Sequence, residues 1–233
     1  MASDVVEDIK QRSGEAEVER PSRTRIEKRR AVIDSALEVF LKEGYATASM
    51  DRVAEVAGVS KRTIYNHFTS KEDLFLGVIG SMVDDVLAPV DQTLSSNKPA
   101  AQTLLDFASR YADVMLANSR ISLHRLILGE LNRFPSLGEI IHASGYGRAK
   151  TGMARILERL VLREELAIDN LDRAADSFWQ LTIAPIQREL LFRFEMRKED
   201  LPVTERLAIG IDEFLKIYSP AAPVKKPAVR RGK

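Results

Sequence analysis

The sequence predicts an all-α fold, an N-terminal three-helix helix-turn-helix domain followed by a larger helical bundle. Three observations carry that prediction. Apolar residues recur at helical spacing, as in Met50, Val53, Ala54 and Ala57, which stand at i, i+3, i+4 and i+7. β-Branched residues nowhere alternate with polar ones over a useful length, so strand signals are absent. Residues 47–75 read as two short helices around a tight turn, with a third helix starting at once.

In chain order, residues 1–22 are acidic, lack aromatics and end in Arg20-Pro21-Ser22, a composition that predicts a disordered arm. A first helix is expected from about Thr24 to Lys42, turning Ile26, Ile33, Ala36, Leu37, Phe40 and Leu41 inward and ending at Gly44. Gly58 supplies a permissive backbone for the turn after the second helix, and Ser60 is placed to cap the next one. That helix, expected over 61–68, buries only Ile64 and Phe68, spaced i, i+4. A fourth begins after Ser70, where Ser70-Lys71-Glu72-Asp73 resembles a capping box with Asp in place of Glu. Its stripe runs from Leu74 and Phe75 to Leu87 and Val90, long enough to pack on both domains, with Pro89 expected to kink its far end. Further helices are expected at about 100–117, 120–133, 136–162, 171–196 and 203–218. The third of these should break near Gly145 and Gly147, and Pro185 stands against the continuity of the fourth. The expected divisions are thus 1–22, 23–71, 72–218 and a disordered basic tail over 219–233.

Net charge is only +1, but it is unevenly spread: −3 over 1–20, +4 over 21–71, −5 over 72–217 and +5 over the rest. A basic stretch coinciding with the helix-turn-helix is the electrostatic footprint of phosphate binding. The basic tail reads either as nonspecific DNA affinity or as a solvated end. With no cysteine there is no disulfide, thiolate metal site or cysteine nucleophile. No apolar run approaches the ~20 residues of a bilayer span and no signal peptide is read at the start, so a cytoplasmic protein is expected. The three histidines, His67, His124 and His142, fall in no H-x-x-x-H or H-E-x-x-H arrangement, and no phosphate loop or nucleophile elbow is present. Neither catalysis, nor a cofactor, nor a metal is expected.

The 61–68 helix is dressed with donors and stacking groups: Lys61, Arg62, Thr63, Tyr65, Asn66 and His67. Such a surface suits the major groove, where an arginine near the start of a helix reaches guanine O6 and N7 in bidentate fashion. Tyr65 lies about 100° round from Ile64, hence outward or at the domain edge. For Lys61 and Arg62 the alternative is a plain solvated charge; for His67 it is a structural residue beside Phe68. Lys71 opens the fourth helix, where free backbone N–H groups favour an anion. Ser49 offers a hydroxyl that serves equally as a helix cap. Thr24 and Arg25 stand where they can grip the flanking DNA backbone.

The same residues resemble the TetR-type bacterial transcriptional repressors, over about Thr24 to Leu74. The resemblance is carried by Ile33, Ala36, Leu37, Phe40 and Gly44, by Ala54, Gly58, Val59 and Ser60, and by Thr63, Ile64, Tyr65, His67, Phe68, Lys71 and Leu74. The stretch with Leu126, Leu128, Glu130, Phe134 and Pro135 is similar to the AefR-like C-terminal domains. The resemblance implies base or phosphate contacts for Lys61, Arg62, Thr63 and Tyr65, phosphate contacts for Asn66 and His67, and a phosphate clamp at Lys71. Asn66 departs from the aromatic that the family often carries there. It further implies a C-terminal domain for dimerisation and for a small effector. Phe107, Tyr111, His124, Phe178, Trp179 and Gln180 are the pocket candidates, against a reading of most of them as ordinary core. Leu181, Leu190, Phe194, Ile211, Phe214 and Leu215, on the last long helices, are the candidates for a two-fold interface. The implied function is a homodimeric repressor on a near-palindromic double-stranded operator, released by a small apolar or aromatic molecule. The alternative is a helical architectural or co-regulatory protein that binds DNA without a ligand.

Overall fold

The computed structural model of the chain describes residues 23–88, 90 and 97–220, and side chains from Ile26 onward. The acidic arm, Pro89 and residues 221–233 of the tail lie outside the described residues, as do the side chains of Thr24 and Arg25. Among the described residues every regular element is helical. In order they are α1 (Arg23–Glu43), α2 (Met50–Ala57), α3 (Lys61–Tyr65), α4 (Lys71–Leu87), α5 (Ala100–Met115), α6 (Asn118–Glu130) and α7 (Ser136–Ile140). A π-helical stretch, Ile141–Gly147, leads into α8 (Arg148–Leu162). Then come α9 (Leu171–Leu181), α10 (Ile183–Phe192), a 3₁₀ turn (Lys198–Asp200) and α11 (Val203–Tyr218).

Local chemistry sets the helix-turn-helix. The Ser49 hydroxyl accepts from Arg52 N–H at 3.1 Å and starts α2. Gly58 ends it at φ 63°, a left-handed conformation that costs glycine little, and its N–H reaches back to the Ala54 and Glu55 carbonyls. The Ser60 hydroxyl accepts from Thr63 N–H at 3.1 Å and starts α3. Ser70 caps α4 in the same way, from Asp73 N–H at 3.1 Å. The Asp73 carboxylate accepts from Thr69 N–H at 2.7 Å, so the reciprocal half of the box falls on Thr69 instead of the cap residue.

Two cores are built, and α4 belongs to both. In the first, Phe40, Tyr45 and Phe75 meet with centroids 5.4–5.6 Å apart, over buried Ile64 and Phe68. This core does not close at residue 71. Leu123 and Ile127 of α6 and Leu137 of α7 are buried in it, and the Phe134 ring stands edge-on to Tyr45 at 5.0 Å. The second core joins Val86 and Val90 to Phe107, Met153, Phe178 and Phe214.

Several expectations are corrected. Ile26, expected inward, is exposed, because the first core starts at Val32. The helix expected over 61–68 is regular only to Tyr65; the His67 and Phe68 N–H groups then fold onto the Ile64 carbonyl at 2.9 Å. Gly145 and Gly147 do not break the 136–162 segment; the helix widens to π geometry there and continues. The 171–196 segment instead splits at Thr182 and stops at Phe192. Pro185 has no N–H to offer the Leu181 carbonyl four residues back, which removes one bond where the split occurs.

The interface candidates divide. Leu190, Ile211 and Phe214 are buried in the chain's own second core, so they have no surface left for a partner. Leu181 and Leu215 are half-buried against that core, and Phe194 is 81% exposed. An apolar helix stripe reads alike whether its partner is the same chain or a second copy, which is why the sequence did not separate them.

Candidate nucleic-acid interface and apolar cavity

Helix α3 is seated by Ile64 and, just beyond it, Phe68; the rest of its surface is turned outward. Lys61, Arg62, Tyr65 and Asn66 are exposed, and the Arg62 side chain has neither hydrogen bond nor ion pair among the described residues. Lys61 forms an ion pair with Asp51 of α2, and both side chains are more than half exposed. A pair this open contributes little to stability, so a phosphate can take the carboxylate's place. The Thr63 hydroxyl bonds the Ser60 hydroxyl at 2.8 Å and is half-buried. His67 is half-buried, its ring 6.4 Å from that of Phe68. Ser49 is exposed and engaged as the α2 cap.

Lys71 is placed otherwise than the anion-clamp expectation required. Its ammonium turns inward and donates to the carbonyls of Tyr45, Ala46 and Ala48 at 2.8, 3.2 and 3.1 Å. It also lies 4.6 Å from the Tyr45 ring centre. An ammonium has three N–H bonds, and all three are spent on the loop that follows α1. The loop between α1 and α2 presents bare carbonyls at its turn, and Lys71 satisfies them.

Below this head a narrow cavity of about 50 Å³ opens between α4, α5, α6 and the π-helical stretch. Ile79, Met82, Val83 and Val86 of α4 form one wall; Leu123 and Ile127 of α6 and Ile141 form others. The polar groups on the lining are few: Tyr111, Arg120, His124, Tyr146 and Gln187. The Tyr146 hydroxyl and His124 Nε2 are 3.0 Å apart, and Gln187 Nε2 lies 3.4 Å from His124 Nδ1. Burial pushes the His124 imidazole below its ordinary range, favouring the neutral ring. Burial likewise pushes up the phenols of Tyr111 and Tyr146.

Of the pocket candidates, Tyr111 and His124 line this cavity. Trp179 and Gln180 line an adjoining cleft that shares Tyr111, Tyr146 and Gln187 with it. Phe107 and Phe178 belong to the second core and line neither space. Arg120, Tyr146 and Gln187 escaped sequence reasoning; the one available signal was the i, i+4 spacing of Arg120 and His124 on a single helix face. Among the described residues no three His, Asp or Glu side chains gather as they would around a metal ion.

Comparison with known proteins agrees with this anatomy. Residues 32–78 match the bacterial regulatory proteins of the tetR family, and residues 102–220 match the C-terminal domain of AefR-like transcriptional repressors. The chain belongs to the TetR family of bacterial transcriptional regulators. A solved TetR-family regulator from Mesorhizobium loti superimposes with a TM-score of 0.73 at 27% identity, covering 86% of this chain and all of that one. The flavonoid-responsive regulator FrrA gives 0.64 at 29% identity, over 84% of this chain and 99% of FrrA. The transcriptional activator FasR of Mycolicibacterium smegmatis is 36% identical over 96 residues, 41% of this chain and 44% of FasR. RutR of Escherichia coli is 36% identical over 63 residues, 27% of this chain and 30% of RutR. The matches thus span less than half the length of these curated relatives. This TetR-family chain is a regulator with a DNA-binding helix-turn-helix, not an enzyme. No helix among the described residues is long and apolar enough to cross a membrane.

Proposed function

We propose that this TetR-family regulator is a homodimeric cytoplasmic repressor that grips a near-palindromic operator and releases it when a small, largely apolar molecule enters the cavity beside α4. The observation that carries this reading is the position of α4. Its Leu74, Phe75 and Val78 are buried in the DNA-binding core, while Met82, Val83 and Val86 form a cavity wall. A ligand that presses on that wall acts on the same rigid element that seats the head. It shifts the equilibrium only through unequal affinity for two head arrangements. FrrA is a flavonoid-responsive regulator, and that supports a small effector here by analogy.

A base contact is proposed for Arg62, with Thr63 and Tyr65 beside it, and phosphate contacts for Lys61, Asn66, His67, Ser49, Thr24 and Arg25. Lys71 is left out because its donors are used within the fold. Two heads meeting successive major grooves need a separation of about 34–36 Å. Dimerisation is assigned to α11, where Ile209 and Ile217 remain exposed after the inner stripe is buried, and to the turn after α10, where Phe194 is exposed. The test is selection of duplexes from random DNA, with the mass of the free protein and of the complex measured in solution. A two-to-one complex on an inverted repeat, and raised transcription of a reporter under that site when the gene is deleted, are expected. A monomer indifferent to every duplex sinks the proposal. Lowered reporter output on deletion makes the protein an activator, as FasR is named.

A further inference from the structure

We propose that Arg120 is the anion-binding group of the cavity, that the effector is an apolar molecule carrying a carboxylate, and that its capture is read through Asp85 by Arg30 of the DNA-binding domain. This deepens the function proposed above and rests on it in one respect, that the cavity beside α4 takes the effector.

Arg120 holds an incomplete ion pair. The Arg120 side chain is only 18% exposed, yet its guanidinium makes no hydrogen bond among the described residues. Its nearest carboxylate is Asp85 of α4, at 3.9 Å. That carboxylate is already gripped by the two arms of Arg30 at 3.0 and 3.1 Å. Burial and the charge of Arg30 both act against the Arg120 cation, and Asp85 offsets them only in part. A half-buried cation whose nearest counter-ion is distant and shared gains from a new anion. Arginine's planar fork matches a carboxylate in bidentate fashion, and the surrounding Ile79, Met82, Val83 and Ile127 suit an apolar body. The other polar groups rank lower as anchors. Tyr146 and Gln187 already lie within reach of His124. The Tyr111 hydroxyl makes no hydrogen bond among the described residues, but it carries no charge.

The route outward is short. Arg30 stands on α1 and pairs with Asp34 of the same helix at 3.3 Å, so the chain Arg120, Asp85, Arg30 links the cavity wall to the first helix of the head. When a ligand carboxylate neutralises Arg120, Asp85 is left with Arg30 as its cation. The fork between α4 and α1 tightens and fixes the head against the lever. The ligand favours that arrangement over the one in which the two heads match an operator.

The full chain offers its own reporter. Trp179 is the single tryptophan, and its ring centre lies 4.4 Å from that of Tyr111 on the cavity wall. Trp179 emission is followed while decanoate, 1-decanol, 3-phenylpropanoate and 3-phenylpropanol are titrated at neutral pH. At least one acid is expected to bind about ten- to a hundredfold more tightly than its alcohol; which pair shows the gap separates an acyl chain from an aromatic acid. In Arg120→Gln, checked for native helical content, the acid should lose that advantage while the alcohol is unaffected. Equal binding of acid and alcohol, or a preference that survives in Arg120→Gln, overturns the anion assignment and leaves the cavity as an effector site. If none of the four moves Trp179, the cavity reading falls and this inference with it. Asp85→Asn should still bind the acid, but the acid should no longer release the variant from its selected duplex. Release equal to that of the native chain overturns the route through Asp85.

Discussion

A β-carbon on Gly210 would stand 2.1 Å from the carbonyl oxygen of Leu181, inside the contact distance of any real pair of atoms. Leu181 is the residue whose carbonyl loses a helical partner to Pro185, so α11 passes α9 at the split between α9 and α10. The obstacle is backbone, not a flexible side-chain end, and relief requires α11 to move as a body. Gly210→Ala is therefore expected to cost about 3 kcal/mol or more, at the upper end of overpacking effects. A urea unfolding series checks it, and a midpoint equal to that of the native chain counts against the contact.

Lys71 gives a prediction opposite in kind to the one its sequence position suggested. Replacing it with Met leaves three loop carbonyls without their donor. Because the side chain is half-buried, the expected loss is about 2 kcal/mol of stability. The salt dependence of operator binding should stay as it was, since no phosphate contact is removed. A flattened salt slope with unchanged stability restores the phosphate clamp.

What was legible in the sequence was local. Ser49, Gly58, Ser60 and the Ile64–Phe68 pair act within a few residues of themselves, so caps, turn and seated helix were all readable, and the charge distribution pointed to phosphate. What was not legible depends on residues far apart in the chain. Lys71 meets carbonyls 23–26 positions away, Arg120 meets a carboxylate on α4, and Phe134 closes a core that seemed to end at residue 71. Burial of Leu190, Ile211 and Phe214 likewise follows from how α10 and α11 fold back, which no stripe records.

Arg62 and Lys61 separate base reading from backbone grip. Arg62 is unengaged and exposed on α3, so Arg62→Ala should cost about 1–3 kcal/mol of operator affinity and relax preference at one base pair. Lys61 begins paired with Asp51, and its removal frees that carboxylate beside the DNA. Lys61→Ala should weaken all duplexes together and lower the salt slope by about 1. Competition assays against single-base variants at fixed salt distinguish the two. Equal behaviour of both variants sinks the division of labour.

His124 makes the effector domain sensitive to mild acid. Burial holds its folded-state pKa below the unfolded value near 6.5, so between those two values the unfolded chain binds the extra proton. Stability rises with pH wherever the unfolded state carries more protons. The contribution of His124 is therefore fully present above about 6.5 and is lost as the pH falls toward the folded-state value. The groups facing the ring, Tyr146 and Gln187, carry no charge to reverse this. Unfolding midpoints measured in steps from pH 7.5 to 5 should decline, and His124→Gln should flatten the decline while keeping a polar group beside Tyr146. A variant whose midpoint falls as steeply as the native chain's assigns the acid sensitivity to another group.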